Sequence, residues 1–149
     1  RTRLLRAATE FCNSFASQAP IESILAHFST THAVSATEHG LPFLAPFLGR
    51  PFHRLTGHNS LETYFKLLQK HIKYEDMSFG EWIVDTEAMR VSCVGHAKFI
   101  WSEGEGEGQS WDEQFVYMLD FDQDNKITDY QVWADSGAAY LASTGKLKE

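Results

Sequence analysis

Three long runs in the second half of the chain constrain its fold most. Residues 89–101 (MRVSCVGHAKFIW), 110–121 (SWDEQFVYMLDF) and 127–135 (ITDYQVWAD) are rich in β-branched and aromatic residues and read as strands. A short acidic loop (EGEGEGQ) and a tight turn (DQDNK) separate them, so they fold as successive hairpins. The first half reads as helices. Leu4, Leu5, Ala8, Phe11, Cys12 and Phe15 recur at helical spacing over residues 3–17. Pro20 suits the first turn of a second helix that buries Ile21, Ile24, Leu25 and Phe28. Asn59 with Glu62 resembles a capping pair for a third helix, with Leu61, Tyr64, Phe65, Leu68 and Ile72 as its inner stripe. Short strands over 32–38 and 75–85, and a helix that starts at Asp135-Ser136-Gly137 and ends near Gly145, complete the plan. Residues 39–57 hold three of the four prolines without periodicity. They read as a long apolar-rich loop, of a kind that is often functional.

This order implies an α+β fold in one domain, residues 1–149. Long, curved antiparallel strands with the three N-terminal helices laid across one face enclose a pocket. Trp111, Phe115, Tyr117, Leu119 and Phe121 share one side of their strand, with Val116 and Met118 on the other. On the next strand Tyr130, Val132 and Ala134 oppose Trp133. One face meets the helices. The other would leave Trp133, Met118 and Trp101 in water, so a homodimer through the outer face is expected.

A net charge of −7 without a basic cluster argues against nucleic-acid binding. No apolar run is long enough to span a bilayer. Cys12 and Cys93 are too few for a disulfide framework or a Cys-rich metal site, and a reducing, cytoplasmic setting is expected. The first residue is Arg1, which leaves a preceding targeting segment open. Asp120-x-Asp122-x-Asp124 begins like a calcium loop, but Asn125 and Gln131 stand where that loop needs Gly and Glu. None of the seven histidines shows ligand spacing. No metal and no cofactor are expected.

The order helix–helix–strand–loop–helix–strands, with the ending DFDQDNKITDYQVWAD before a short helix, resembles the nuclear transport factor 2-like α+β cone. Within it, the ending is similar to the SnoaL-like polyketide cyclase and ketosteroid isomerase branch. The resemblance covers roughly residues 4–143 and implies candidate roles. His96 matches the middle-strand acid of the epoxide hydrolases, which faces the cavity, and an imidazole there could exchange a proton near neutral pH. A histidine satisfied within the sheet or at a dimer face is the plainer alternative. Tyr117 falls where ketosteroid isomerases carry an oxyanion-hole Asp; it could equally be a core aromatic. Glu38 and His39 end the first strand, where the isomerases place their proton-shuttling Asp. Strand alternation lets only one of them point inward. Val132 occupies the epoxide hydrolases' final-strand acid position, so that mechanism is not expected.

The expected function is a cofactor-independent isomerase, dehydratase or cyclase. Its substrate is a hydrophobic polyketide-, terpenoid- or steroid-like molecule. His96, Tyr117 and Glu38 or His39 are the catalytic candidates. Phe11, Phe15, Tyr64, Phe65, Trp111, Glu113, Phe115, Tyr130 and Val132 are the substrate-binding candidates. A carboxylate such as Glu113 in an aromatic cavity would have a raised pKa. A non-catalytic hydrophobic-ligand-binding protein and a protein-interaction scaffold are the alternatives.

Overall fold

The computed structural model describes residues 1–147. The elements are helix α1 (Thr2–Ala16), helix α2 (Ile21–Leu25), strands β1 (Ser35–His39) and β2 (Phe52–His53), helix α3 (Leu61–His71), strands β3 (Ile72–Asp85), β4 (Arg90–Trp101), β5 (Ser110–Phe121) and β6 (Ile127–Trp133), and helix α4 (Ser136–Ser143). They form a six-stranded, unclosed sheet in the order β2-β1-β6-β5-β4-β3. Strands β3 to β6 are a run of antiparallel hairpins. The sheet is not antiparallel throughout, because β1 lies parallel to β6. A parallel pair needs a long crossover, and here everything from the Pro-rich loop to β5 supplies it.

The curvature has a local cause. The β3–β4 register shifts between Glu75 and Ser78 and again between Gly80 and Ile83. Asp76 and Glu81, inside those shifts, adopt φ of 55° and 54°. Such bulges bend a long strand and increase its twist. The concave face then wraps α1, whose buried stripe is Leu4, Ala8, Phe11, Cys12 and Phe15. Burial of this stripe against Phe28, Tyr117 and Tyr130 builds the core.

Three local expectations are revised. Ser60, not Asn59, caps α3: its Oγ accepts from Thr63 N, and Thr63 Oγ1 accepts from Ser60 N in return. Asn59 instead takes a left-handed turn conformation, φ 50°, which its short polar side chain tolerates. Ile72 leaves the helix and opens β3. Helix α2 stops at Leu25, so Phe28 is buried beyond it, in a bridge to Ile127.

Trp101 is also corrected. It shares the inward phase of β4 with Val91, Cys93 and Ala97 and packs beneath Ala139 and Ala142 of α4. Trp133 and Val116 do emerge on the outer face, 40% and 36% exposed. Among the described residues no helix is long and apolar enough to cross a membrane.

Candidate active site

The cavity lies between the concave face of β3–β6, α3 and the start of α4. Its walls include Phe15, Phe47, Tyr64, Phe65, Tyr74, Met77, Phe99, Trp111, Phe115, Tyr117 and Tyr130. Its free volume is about 80 Å³, small beside the several hundred Å³ of pockets for drug-sized ligands. Three acidic residues line this aromatic space, Glu38, Glu113 and Asp135.

Strand alternation decides between Glu38 and His39. Ala36 and Glu38 point inward and are buried, and Glu38 pairs across to Val132. His39 points outward, stacks on Trp133 at 4.3 Å and 14°, and makes a 2.9 Å hydrogen bond from Nε2 to Gln131 Oε1. Glu38 is 8% exposed. Tyr64 Oη donates to its Oε1 at 2.6 Å, and Tyr130 Oη lies 3.3 Å from Tyr64 Oη. Tyr117 packs against Tyr130 with ring centroids 5.1 Å apart. The result is one carboxyl group at the head of a row of buried phenols.

The electrostatics follow from that enclosure. Burial raises the Glu38 carboxyl from 4.5 to about 7; the Tyr64 hydrogen bond opposes the rise and the Glu113 charge adds to it. Burial also pushes Tyr64, Tyr117 and Tyr130 well above the ordinary phenol range, so all three remain O–H donors at neutral pH. Glu113 is raised by burial too, against hydrogen bonds from Trp111 and the Asp135 backbone. Trp111 Nε1 donates to Glu113 Oε1 at 2.5 Å and Asp135 N to Oε2 at 3.0 Å. Asp135 in turn caps α4 through Ala138 N. Glu113 therefore ties the start of α4 to the cavity wall.

His96 lies elsewhere. Its strand neighbours Gly95 and Ala97 take the inward phase, pairing with Phe115 and Glu113, while His96 pairs with Gln114 and Ser78 on the outer face. There it is exposed, in a shallow surface depression with Asp76, Lys98 and Asp112. Gly95 is small for a reason: any Cβ there would run into the Phe115 ring. Phe11 is fully buried among Phe28, Tyr117 and Tyr130 behind the cavity wall and does not line the cavity. Phe15, Tyr64, Phe65, Trp111, Glu113, Phe115, Tyr117, Tyr130 and Val132 all do.

Several lining residues escape the sequence reading. Phe47 comes from the Pro-rich loop, Tyr74 and Met77 from β3, Phe99 from β4, and Ser136 and Ala139 from α4. Phe99 carried a usable signal, two steps from Ala97 on the inward phase. Tyr74 did not, because the bulge at Asp76 resets the phase of β3. Among the described residues no group of three or more His, Cys, Asp or Glu is placed to hold a metal ion. Asp122 Oδ1 accepts from Asp124 N and Lys126 N, closing the β5–β6 turn.

No protein-family model matches the chain, and no curated protein is significantly similar to it in sequence. Solved structures are similar in fold. An NTF2-like protein of unknown function from Burkholderia pseudomallei superposes with a TM-score of 0.74 at 18% identity, over 95% of this chain and 98% of that one. A protein classed as a SnoaL-like polyketide cyclase, from Jannaschia, gives 0.71 at 10% identity, over 96% and 92%. A steroid delta-isomerase from Pseudomonas aeruginosa gives 0.62 at 12% identity, over 99% and 90%. On its topology and these likenesses, the chain has the nuclear transport factor 2-like fold.

Proposed function

We propose that this protein is a cofactor-independent enzyme that moves a proton on a small hydrophobic carbonyl compound, with Glu38 as the group that takes and returns it. The observation that carries this reading is the Glu38 carboxyl, enclosed among aromatic rings and raised to about 7. A general acid or base works best when its pKa lies near the working pH. In its carboxylate form Glu38 removes a proton next to the substrate carbonyl. The Tyr130 and Tyr117 hydroxyls are the donors for the negative charge that develops on oxygen, while Tyr64 Oη holds Glu38. The proton then returns from Glu38 to another atom, which is an isomerisation, or leaves with a hydroxyl, which is a dehydration. Solved structures of this fold include proteins named as an isomerase and a polyketide cyclase, in keeping with such chemistry. His39 and His96 have no part in this scheme, since both face away from the cavity.

The free space of about 80 Å³ sets the substrate scale. A single small ring matches it. A polycyclic substrate requires Ser136 and Ala139 of α4 to move outward. The protein acts as a homodimer in this proposal, with Trp133, Val116 and Met118 of the outer sheet face covered by a second copy.

Deuterium uptake next to the carbonyl of cyclohexanone tests the reading. Uptake should rise with pH through about 7 and fall about 100- to 10,000-fold in Glu38→Gln, with His96→Ala unaffected. Tight binding of cyclohexanone with no uptake above buffer would replace the enzyme by a ligand-binding protein.

A further inference from the structure

Beside the main cavity, and sharing no lining residue with it, a surface cleft runs between the Pro42–Pro46 segment and the end of α3. We propose that this cleft is a second binding site, for a small neutral hydroxy-aromatic molecule whose O–H is accepted by His71 Nε2. His71 is the last residue of α3, and its side chain is 10% exposed. The chain builds its surroundings closely. Ser102 N donates to His71 O at 2.9 Å and Ser102 Oγ to Lys70 O at 2.7 Å. These bonds fix the exit of β4 against the end of α3 and set Glu103 beside the imidazole. Glu103 Oε1 stands 2.7 Å from His71 Nδ1, and Nδ1 is sealed from solvent.

This arrangement divides the two ring nitrogens. A sealed nitrogen beside a carboxylate is the one that carries the proton. The remaining lone pair is then on Nε2, which makes no hydrogen bond to any other described residue. Burial lowers the His71 pKa, with Lys70 adding to the effect and Glu103 opposing it, so the ring stays neutral and Nε2 an acceptor at pH 7.

The walls suit a flat ring. Trp101 stacks on His71 at 5.5 Å and 26°. Phe43, 72% exposed, meets Tyr140 edge-on at 5.8 Å across the cleft mouth. Pro42 and Pro46 supply rigid apolar sides. The Glu103 charge at the rim disfavours anions such as carboxylates. A neutral phenol satisfies all of these conditions.

Phenol, anisole and benzoate are the probes, titrated into the intact protein and followed by imidazole and indole nitrogen NMR. Phenol should shift His71 Nε2 and the Trp101 indole. Anisole, which lacks the donated proton, should bind about tenfold more weakly, and benzoate more weakly still. His71→Phe should keep ring contact and erase the preference for phenol over anisole. Glu103→Gln should reduce that preference by releasing the tautomer. Glu38→Gln should leave phenol binding in the cleft unchanged, which separates this site from the proposed active site. Equal binding of phenol and anisole would overturn the proposal, as would phenol shifts at Tyr64 and Tyr130 with none at Trp101.

Discussion

Tyr64 Oη donates a 2.6 Å hydrogen bond to Glu38 Oε1, and this bond opposes the burial that raises the Glu38 pKa. Removing it leaves burial unopposed. In Tyr64→Phe, which keeps the ring and its packing, Glu38 should therefore titrate above about 7. Infrared spectra of the carboxyl band across pH give the midpoint. An unchanged or lower midpoint would mean that the bond does not stabilise the carboxylate.

The same carboxyl links stability to pH. Its folded pKa of about 7 exceeds the ordinary value of 4.5, so the folded state holds the proton more tightly than the unfolded chain. The contribution is fully present below about 4.5, declines as pH rises, and is lost above about 7. Over that window the protein should lose on the order of 3 kcal/mol. Glu38→Gln should flatten this part of the profile in urea unfolding at pH 4.5 and 8. A wild-type stability unchanged across the window would contradict the burial argument.

Gly95 makes room for Phe115 across the β4–β5 pair. Gly95→Val should cost about 1–3 kcal/mol by overpacking, read as a lowered Tm. Phe115→Leu in the same chain should recover part of the loss. Full stability of the single variant would show that the ring can swing aside freely.

The outer sheet face exposes Trp133 and Val116, which pair across β5 and β6, with Met118 two residues along on the same strand phase as Val116. Met118→Lys should convert a dimer to a monomer in sedimentation at micromolar concentration, with little change in Tm. A wild-type monomer at that concentration would remove the dimer proposal.

Much of the fold was legible in residue order. The three hairpin strands and the stripes of α1 and α3 follow from period-2 and period-3.6 patterns that survive folding. What was not legible came from places where the period breaks. The bulges at Asp76 and Glu81 reset β3 and concealed Tyr74 and Met77. On β4 the inward residues Cys93, Gly95 and Ala97 are small, so His96 stood out although its phase pointed outward. The cross-strand register of Gly95 with Phe115 settles that phase, and register is not written in one strand alone. Glu38 and His39 remained a pair until the parallel partner β6 fixed which of them meets Val132 inside. The role of α4 as part of the cavity wall depends on Glu113 reaching Asp135, a contact between distant segments.

The central claim is that Glu38 is an enclosed carboxyl able to exchange its proton at neutral pH. Carbon-13 NMR of glutamate side-chain carboxyls, with Glu38→Gln assigning the signal, tests it without any substrate. The account predicts a midpoint near 7, and a midpoint near 4.5 would contradict it.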